Sequence, residues 1–222
     1  MRDLSLENVR AFDSEKSVEA YSTNYLRESE KYVIDKYMRS GTSVLDVGCG
    51  TGRTTHYITE KGAKVTGIDF AENLINRAKQ MHPSLDFRVM DARYIEFPAE
   101  SFDIVFFSFN GLDCLHPVSD RQKAIKSMLR VLKKGGYLIY SSHNSTSYPR
   151  TLFGLKNFLK NIFRIRFGRH YRYENYDFGK LILYYNNIWA EKSEISGFGL
   201  DVVEVVSSGY IKERFPMYVA QK

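Results

Sequence analysis

The chain has 222 residues, enough for one domain with a small appendage. Hydrophobic residues make up 43% and charged residues 26%, a globular balance that excludes a largely disordered chain. Two cysteines, Cys49 and Cys114, exclude a disulfide framework or a cysteine-rich zinc site and fit a reducing, cytoplasmic setting.

The start, MRDLSLENVRAFDSEK, is charged and lacks an apolar core, so it does not read as a signal peptide. No stretch approaches the roughly 20 apolar residues of a membrane span. The net charge is +6. Arg150, Lys156, Lys160, Arg164, Arg166, Arg169 and Arg172 form a run without an acid, so the rest of the chain is close to neutral. Nucleic-acid binding over the whole surface is therefore not favoured.

In chain order, residues 14–40 read as one helix, with Val18, Tyr21, Tyr25, Tyr32, Val33 and Tyr37 at helical spacing and Gly41 as its stop. Strands follow at 42–47, 64–69, 85–90, 102–109 and 137–142. Helices are expected at 52–61, 71–81 and 120–132, the last capped by Asp120. Alternation of strands with helices of this length predicts βαβ units and a mostly parallel sheet. Two final strands, 200–206 and 216–220, should form an antiparallel edge pair. The stretch YRYENYDFGKLILYY reads as a hairpin turning near Asp177-Phe178-Gly179.

The expected architecture is α/β: a Rossmann-like three-layer sandwich with a mostly parallel seven-stranded sheet, an antiparallel C-terminal strand pair and a small inserted lid. Its expected parts are an N-terminal helical cap (1–40), a Rossmann-like core (41–149), a basic and aromatic insertion (150–186) and the C-terminal part of the core (187–222).

The segment Val44-Leu45-Asp46-Val47-Gly48-Cys49-Gly50-Thr51-Gly52-Arg53 carries a strand into a helix. Glycines here let backbone approach a ligand, next to the unpaired N–H groups of a helix start. The spacing is G-x-G-x-G, whereas the dinucleotide fingerprint is G-x-G-x-x-G, so a nicotinamide cofactor is disfavoured. Asp69 ends the second strand, where an acid accepts from a ribose diol. Asp91-Ala92 follows the third, where a carboxylate accepts from an adenine amino group. All three features fall at carboxyl ends of parallel strands, the ligand-binding edge of such sheets.

With these residues the chain resembles the class I S-adenosylmethionine-dependent methyltransferases of small-molecule type. LDVGCGTG, GIDFAENLINRAK, MDARYIEFPAESFDIVFF and RVLKKGGYLIYSSHN match the family's successive motifs; they specify the cofactor far more than the acceptor. The resemblance implies S-adenosyl-L-methionine as cofactor. It implies that Gly48, Gly50 and Gly52 line its methionine and ribose portion, and that Asp46 orients its ammonium group. Asp69 is then expected to hold the ribose, with Phe70 against the adenine and Asp91 and Ala92 at the adenine edge. Ser108 would pass beneath the methionine. The implied activity is methyl transfer to an oxygen or nitrogen of a small molecule; a non-catalytic module binding the cofactor or its demethylated product is the alternative.

Oxygen and nitrogen nucleophiles usually need a proton removed. His143, ending the fifth strand, and His116, after the fourth, are the candidate bases. Asn110, Asn144, Tyr21, Tyr25, Arg169 and Tyr173 are candidate acceptor contacts. Asp113 reads as a loop-capping acid. Asn/Asp-Pro-Pro-aromatic, the signature of nucleic-acid amino methylation, is replaced here by Ser108-Phe109-Asn110-Gly111. The insertion 152–166 interleaves an apolar stripe with Lys156, Lys160, Arg164 and Arg166. It is open to three readings: a lid, a site for an anionic acceptor, or a peripheral membrane contact for a lipid-linked one. The five histidines show no metal-site spacing.

Overall fold

The structure is a computed structural model that describes residues 4–23, 25–145, 170–207 and 214–222. Three helices open the chain: α1 (Leu4–Phe12), α2 (Glu15–Tyr21) and α3 (Glu28–Tyr37). The continuous helix expected over 14–40 is thus broken, and the helix α1 before it was not expected. Local hydrogen bonds explain the break. Ser14 Oγ caps α2 by accepting from Ser17 N at 3.2 Å, and Ser22 Oγ returns to Val18 O at 2.7 Å. Glu30 reaches back to accept from Arg27 N at 2.8 Å, half of a capping box that starts α3 afresh. Gly41 does not stop the helix, which ends at Tyr37 with Met38 as its cap; the φ of +85° at Gly41 turns the chain into the sheet.

The core then alternates: β1 (Ser43–Val47), α4 (Arg53–Glu60), β2 (Lys64–Asp69), α5 (Glu72–Met81), β3 (Asp86–Val89), β4 (Phe102–Phe107), α6 (Val118–Val131) and β5 (Leu132–Ser141). Short 3₁₀ turns lie at Ala92–Tyr94 and Gly111–Cys114. The hairpin follows as β6 (Tyr171–Tyr176) and β7 (Gly179–Tyr184). The chain then forms α7 (Ile188–Ser196), β8 (Asp201–Val206) and β9 (Met217–Gln221). The helix α7 was not expected; Asn187 caps it by accepting from Ala190 N at 2.8 Å. Asp120 does not cap α6, which begins at Val118; its carboxylate pairs with Arg93 and Lys123 instead.

The main sheet runs β3-β2-β1-β4-β5-β9-β8. Its first five strands are parallel, while β9 is antiparallel to both β5 and β8. Side-chain alternation builds two cores from one sheet. Leu45, Val47, Val105, Phe107, Leu138 and Tyr140 pack with Ile125 and Met128 of α6 and Ile195 of α7. Their neighbours Val44, Ile104, Phe106 and Ile139 pack on the other face with Val33 and Ile34 of α3 and Ile58 of α4. Strands buried on both faces read as apolar runs, which is why they were legible.

The hairpin forms a separate two-stranded sheet. It is tied down by Asn8 of α1, whose Nδ2 donates to Cys114 O at 2.7 Å and Ile182 O at 2.9 Å, while its Oδ1 accepts from Ile182 N at 2.9 Å. Arg169 and the basic stretch before it lie outside the described residues. Among the described residues no helix is long and apolar enough to cross a membrane.

Candidate functional site

Strand order reverses where β1 and β4 lie side by side, and such a reversal opens a crevice at the strands' carboxyl ends. A cavity of about 1070 Å³ occupies it. Gly48, Gly50, Asp69, Phe70, Asp91, Ala92, Ser108, Asn110, Tyr21, His116 and His143 all line this cavity.

The three loop glycines all have positive φ: +62° at Gly48, +57° at Gly50 and +89° at Gly52. Their sides differ. A Cβ at Gly48 would lie 2.5 Å from Phe107, and one at Gly52 2.6 Å from Phe87, so these two let the loop close onto the core. A Cβ at Gly50 would meet no atom within 4 Å, so the loop is open to a ligand there. Gly52 itself is the N-cap of α4 and does not line the cavity.

Asp69 clips the loop to the end of β2. Its two oxygens accept from Gly50 N at 3.0 Å and Ala71 N at 2.9 Å. Burial pushes its carboxyl up to about 6 despite these donors. A carboxylate has about four acceptor positions, and the Phe70 N–H also faces this one, so capacity remains for a ligand's hydroxyl. Asp46 stands behind the loop instead of in its wall. Its Oδ2 accepts from Thr54 Oγ1 and Thr55 Oγ1, both at 2.7 Å, and so anchors the first turn of α4. Burial raises it to about 6 as well.

Asp91 caps its 3₁₀ turn by accepting from Arg93 N at 2.8 Å, and its carboxylate is also paired with the Arg93 guanidinium. Arg53, a wall residue, grips the buried Glu30 of α3 at 2.6 and 2.9 Å. Burial works against the charge on Glu30, but Arg53 outweighs it and holds the carboxyl below its ordinary value. Glu30 was not singled out from sequence.

The opposite end of the cavity is built around His143. Its Nδ1 lies 2.8 Å from Asp113 Oδ2, which also accepts from the His143 backbone N at 2.6 Å. Asp113 Oδ1 accepts from Ser142 Oγ at 3.0 Å and from Arg121 Nη1 at 2.7 Å. Asp113 and Arg121 are both fully buried. A carboxylate only accepts, so Nδ1 carries the hydrogen. Asp113 therefore orients a histidine, which its place in a loop after β4 did not reveal.

His116 lines the cavity, with its ring edge-on to Tyr171 at 4.4 Å. Asn110 is buried, and its Oδ1 has no partner. Phe109 and Asn110 both have positive φ, +55° and +61°, a strained pair turned toward the cavity. The Arg27 guanidinium lies between two rings, 4.1 Å from Phe109 and 4.5 Å from Phe215, and all three line the cavity. Tyr25 is 67% and Tyr173 48% exposed, and neither lines the cavity. Asn144 is buried outside it, bridging to Asn186. Among the described residues no cluster of three or more potential metal ligands occurs.

Residues 45–140 match the methyltransferase domain family. The chain is 33% identical over 130 residues to a ubiquinone biosynthesis O-methyltransferase of Coxiella burnetii, covering 56% of this chain and 54% of that protein. It is 36% identical over 115 residues to a demethylmenaquinone methyltransferase of Renibacterium salmoninarum, covering 51% and 47%. The chain thus spans about half the length of the curated relatives it matches. Its fold is like that of the CcbJ methyltransferase of Streptomyces caelestis, with a TM-score of 0.72 at 14% identity over 96% of this chain and 98% of that one. Residues 45–140 thus resemble the methyltransferase domain of the class I S-adenosylmethionine-dependent family.

The cofactor of that family is S-adenosyl-L-methionine, and the residues present fit it. Gly50 is open toward the cavity, and Asp69 has acceptor capacity left where a ribose is expected.

Proposed function

We propose that this chain moves the methyl group of S-adenosyl-L-methionine to an oxygen or nitrogen of a small-molecule acceptor, with His143 as the general base. The observation that carries this reading is that the glycine loop with Asp69 and the Asp113-held His143 face one cavity. The bound cofactor would supply a methyl group on a positively charged sulfur, which makes the leaving group good before any residue acts. Gly48, Gly50 and Asp69 bind and orient that group. Asp91 and Ala92 take the adenine end and Ser108 the methionine end.

His143 Nε2 accepts the acceptor's proton as the nucleophile attacks. Asp113 fixes the imidazole's tautomer and stabilises the imidazolium that results. Asn110 offers its amide to the acceptor, and His116 shapes the same wall. Tyr21, beside Phe109 and Phe178, covers the site. The curated relatives are named for ubiquinone and menaquinone pathways, which supports an acceptor with a large apolar part. The aromatic wall of Phe12, Tyr21, Phe109 and Tyr176 supports the same.

The anionic or lipid-linked form of the acceptor, and a membrane contact through 152–166, rest on the sequence of that basic segment. Sedimentation with vesicles rich in anionic lipid tests the contact: binding supports it, and unchanged solubility rejects it. Incubation with methyl-labelled cofactor and a panel of phenols, alcohols and amines tests the activity. Label transfer to one acceptor class supports the reading. Tight cofactor binding without transfer to any member would favour the non-catalytic alternative.

A further inference from the structure

Beneath His143 lies a buried ionic group larger than a catalytic pair requires. Arg121, on α6, reaches Asp113 Oδ1 with Nη1 at 2.7 Å and Glu191 of α7 with Nη2. Glu194 Oε1 stands 3.5 Å from its Nε, and the Tyr184 ring lies 4.5 Å from its Cζ. Asn186 Nδ2 holds the other oxygen of Glu191 at 3.2 Å. Arg121 and Glu191 are both fully buried. Burying such charges is costly, and well-packed apolar residues often replace buried ion pairs without loss of stability. The arrangement therefore calls for a reason other than stability.

The division of labour on Asp113 supplies one. Oδ1 serves Arg121 and Ser142, and Oδ2 serves the backbone and ring nitrogens of His143. A carboxylate held on one edge can turn only one way toward the other. We propose that Arg121 is a positioning residue for His143, fixing the plane of Asp113 and tempering the negative charge that Asp113 presents to the imidazole. An uncompensated buried Asp113 would favour the imidazolium over the neutral ring, which alone has a lone pair on Nε2. Glu191 sets the limit in the opposite sense where it is ionised, since it then offsets part of the Arg121 charge; burial raises its carboxyl to about 7. The inference rests on the reading of His143 as the base.

Other ionisable groups face this corner. The Tyr185 ring lies 4.6 Å from the imidazole and its hydroxyl donates to Glu174, which also pairs with Arg214 at 3.2 Å. The Arg172 guanidinium stacks 4.3 Å from the same ring. Burial holds the hydroxyls of Tyr140, Tyr185 and Tyr218 protonated, so none of them titrates near neutrality. The charges that shape the imidazole's environment are therefore those of Asp113, Arg121, Arg172, Glu191, Glu194 and the Glu174–Arg214 pair.

The test is nitrogen NMR of ¹⁵N-histidine-labelled full-length protein, titrated without cofactor or acceptor. The wild type should show His143 protonated on Nδ1 when neutral. Arg121→Gln should raise its titration midpoint by about one pH unit or more, the scale of losing a close opposite charge. Arg121→Lys should bring it back toward wild type. Glu191→Gln, nearly isosteric, should lower the midpoint, and it keeps the test decisive if Arg121→Gln does not fold. Opposite shifts from Arg121→Gln and Glu191→Gln support the proposal; a merely structural role gives none. An unmoved midpoint in folded Glu191→Gln, or shifts of the same sign, overturns it. Failure of the methyltransferase reading would appear as absent label transfer and would leave this titration unchanged, so the two are separable.

Discussion

At the glycine-loop end of the cavity, the shaping bonds join residues close in the chain. Thr54 to Asp46 spans 8 positions and Gly50 to Asp69 spans 19. At the hairpin end they reach much further: 30 positions from His143 to Asp113, 70 from Arg121 to Glu191 and 174 from Asn8 to Ile182. The first end is assembled within consecutive strand–loop–helix units and presents mainly backbone and one carboxylate. The second exists only once helices α1, α6 and α7 and the hairpin have all docked. On the proposed reading, a local motif binds the cofactor, while the acceptor meets parts that are distant from one another in the chain.

The comparison can be broken by substitutions that act on one end alone. The largest effect is expected from His143→Ala, which should cost ~10²–10⁴ in turnover with cofactor affinity intact. Initial rates with labelled cofactor, beside calorimetric binding, check both halves; equal turnover would reduce His143 to cavity lining. Asp69→Ala should weaken cofactor binding by about 2–4 kcal/mol, from lost hydrogen bonds to a charged group. Unchanged binding in folded Asp69→Ala would remove the ribose from that position.

Next comes the pH dependence of the apo protein. The buried carboxyls of Asp46 and Asp69 are raised from 3.8 to about 6 in the folded state. Between those values the folded chain binds more protons than the unfolded one, so these two groups make stability fall as pH rises from about 4 to 6. Asp46→Asn should remove one of the two contributions, up to about 3 kcal/mol at pH 7. Urea unfolding at pH 4.5 and 7 measures it; a steeper decline in Asp46→Asn would contradict the sign. The smallest effect is expected at Gly50. Gly50→Ala should cost only about 1–2 kcal/mol in stability, from its left-handed backbone. It should nevertheless weaken cofactor binding, because its methyl group points into open cavity. Gly48→Ala, 2.5 Å from Phe107, should destabilise more.

The same difference in reach decides what could be read from sequence. The apolar strands and the G-x-G-x-G loop are local patterns, so the alternation of the parallel core, the place of Asp69 at the end of β2 and the antiparallel ending were legible. Val18, Tyr21, Tyr25 and Tyr32 share helical spacing, which concealed the breaks that Ser14, Ser22 and Glu30 make with the backbone. Asp46 sits in the motif yet faces Thr54 and Thr55. The role of Asp113, the buried Arg121 and the Asn8 clamp depend on contacts between distant segments. A charged residue such as Arg121 on an amphipathic helix looks solvated until the partner carboxylates are located on another helix. Adjacent strand ends did hold one signal: Asp113 after β4 and His143 after β5 lie at neighbouring edges of the sheet.

Calorimetric titration of the wild type, Asp69→Ala and His143→Ala with S-adenosyl-L-methionine and its demethylated product tests the central claim most directly. The account predicts micromolar binding to the wild type and to His143→Ala, and binding weakened at least tenfold in Asp69→Ala. No binding to folded wild type, or equal binding to all three, would contradict a cofactor held at the glycine-loop end of this cavity.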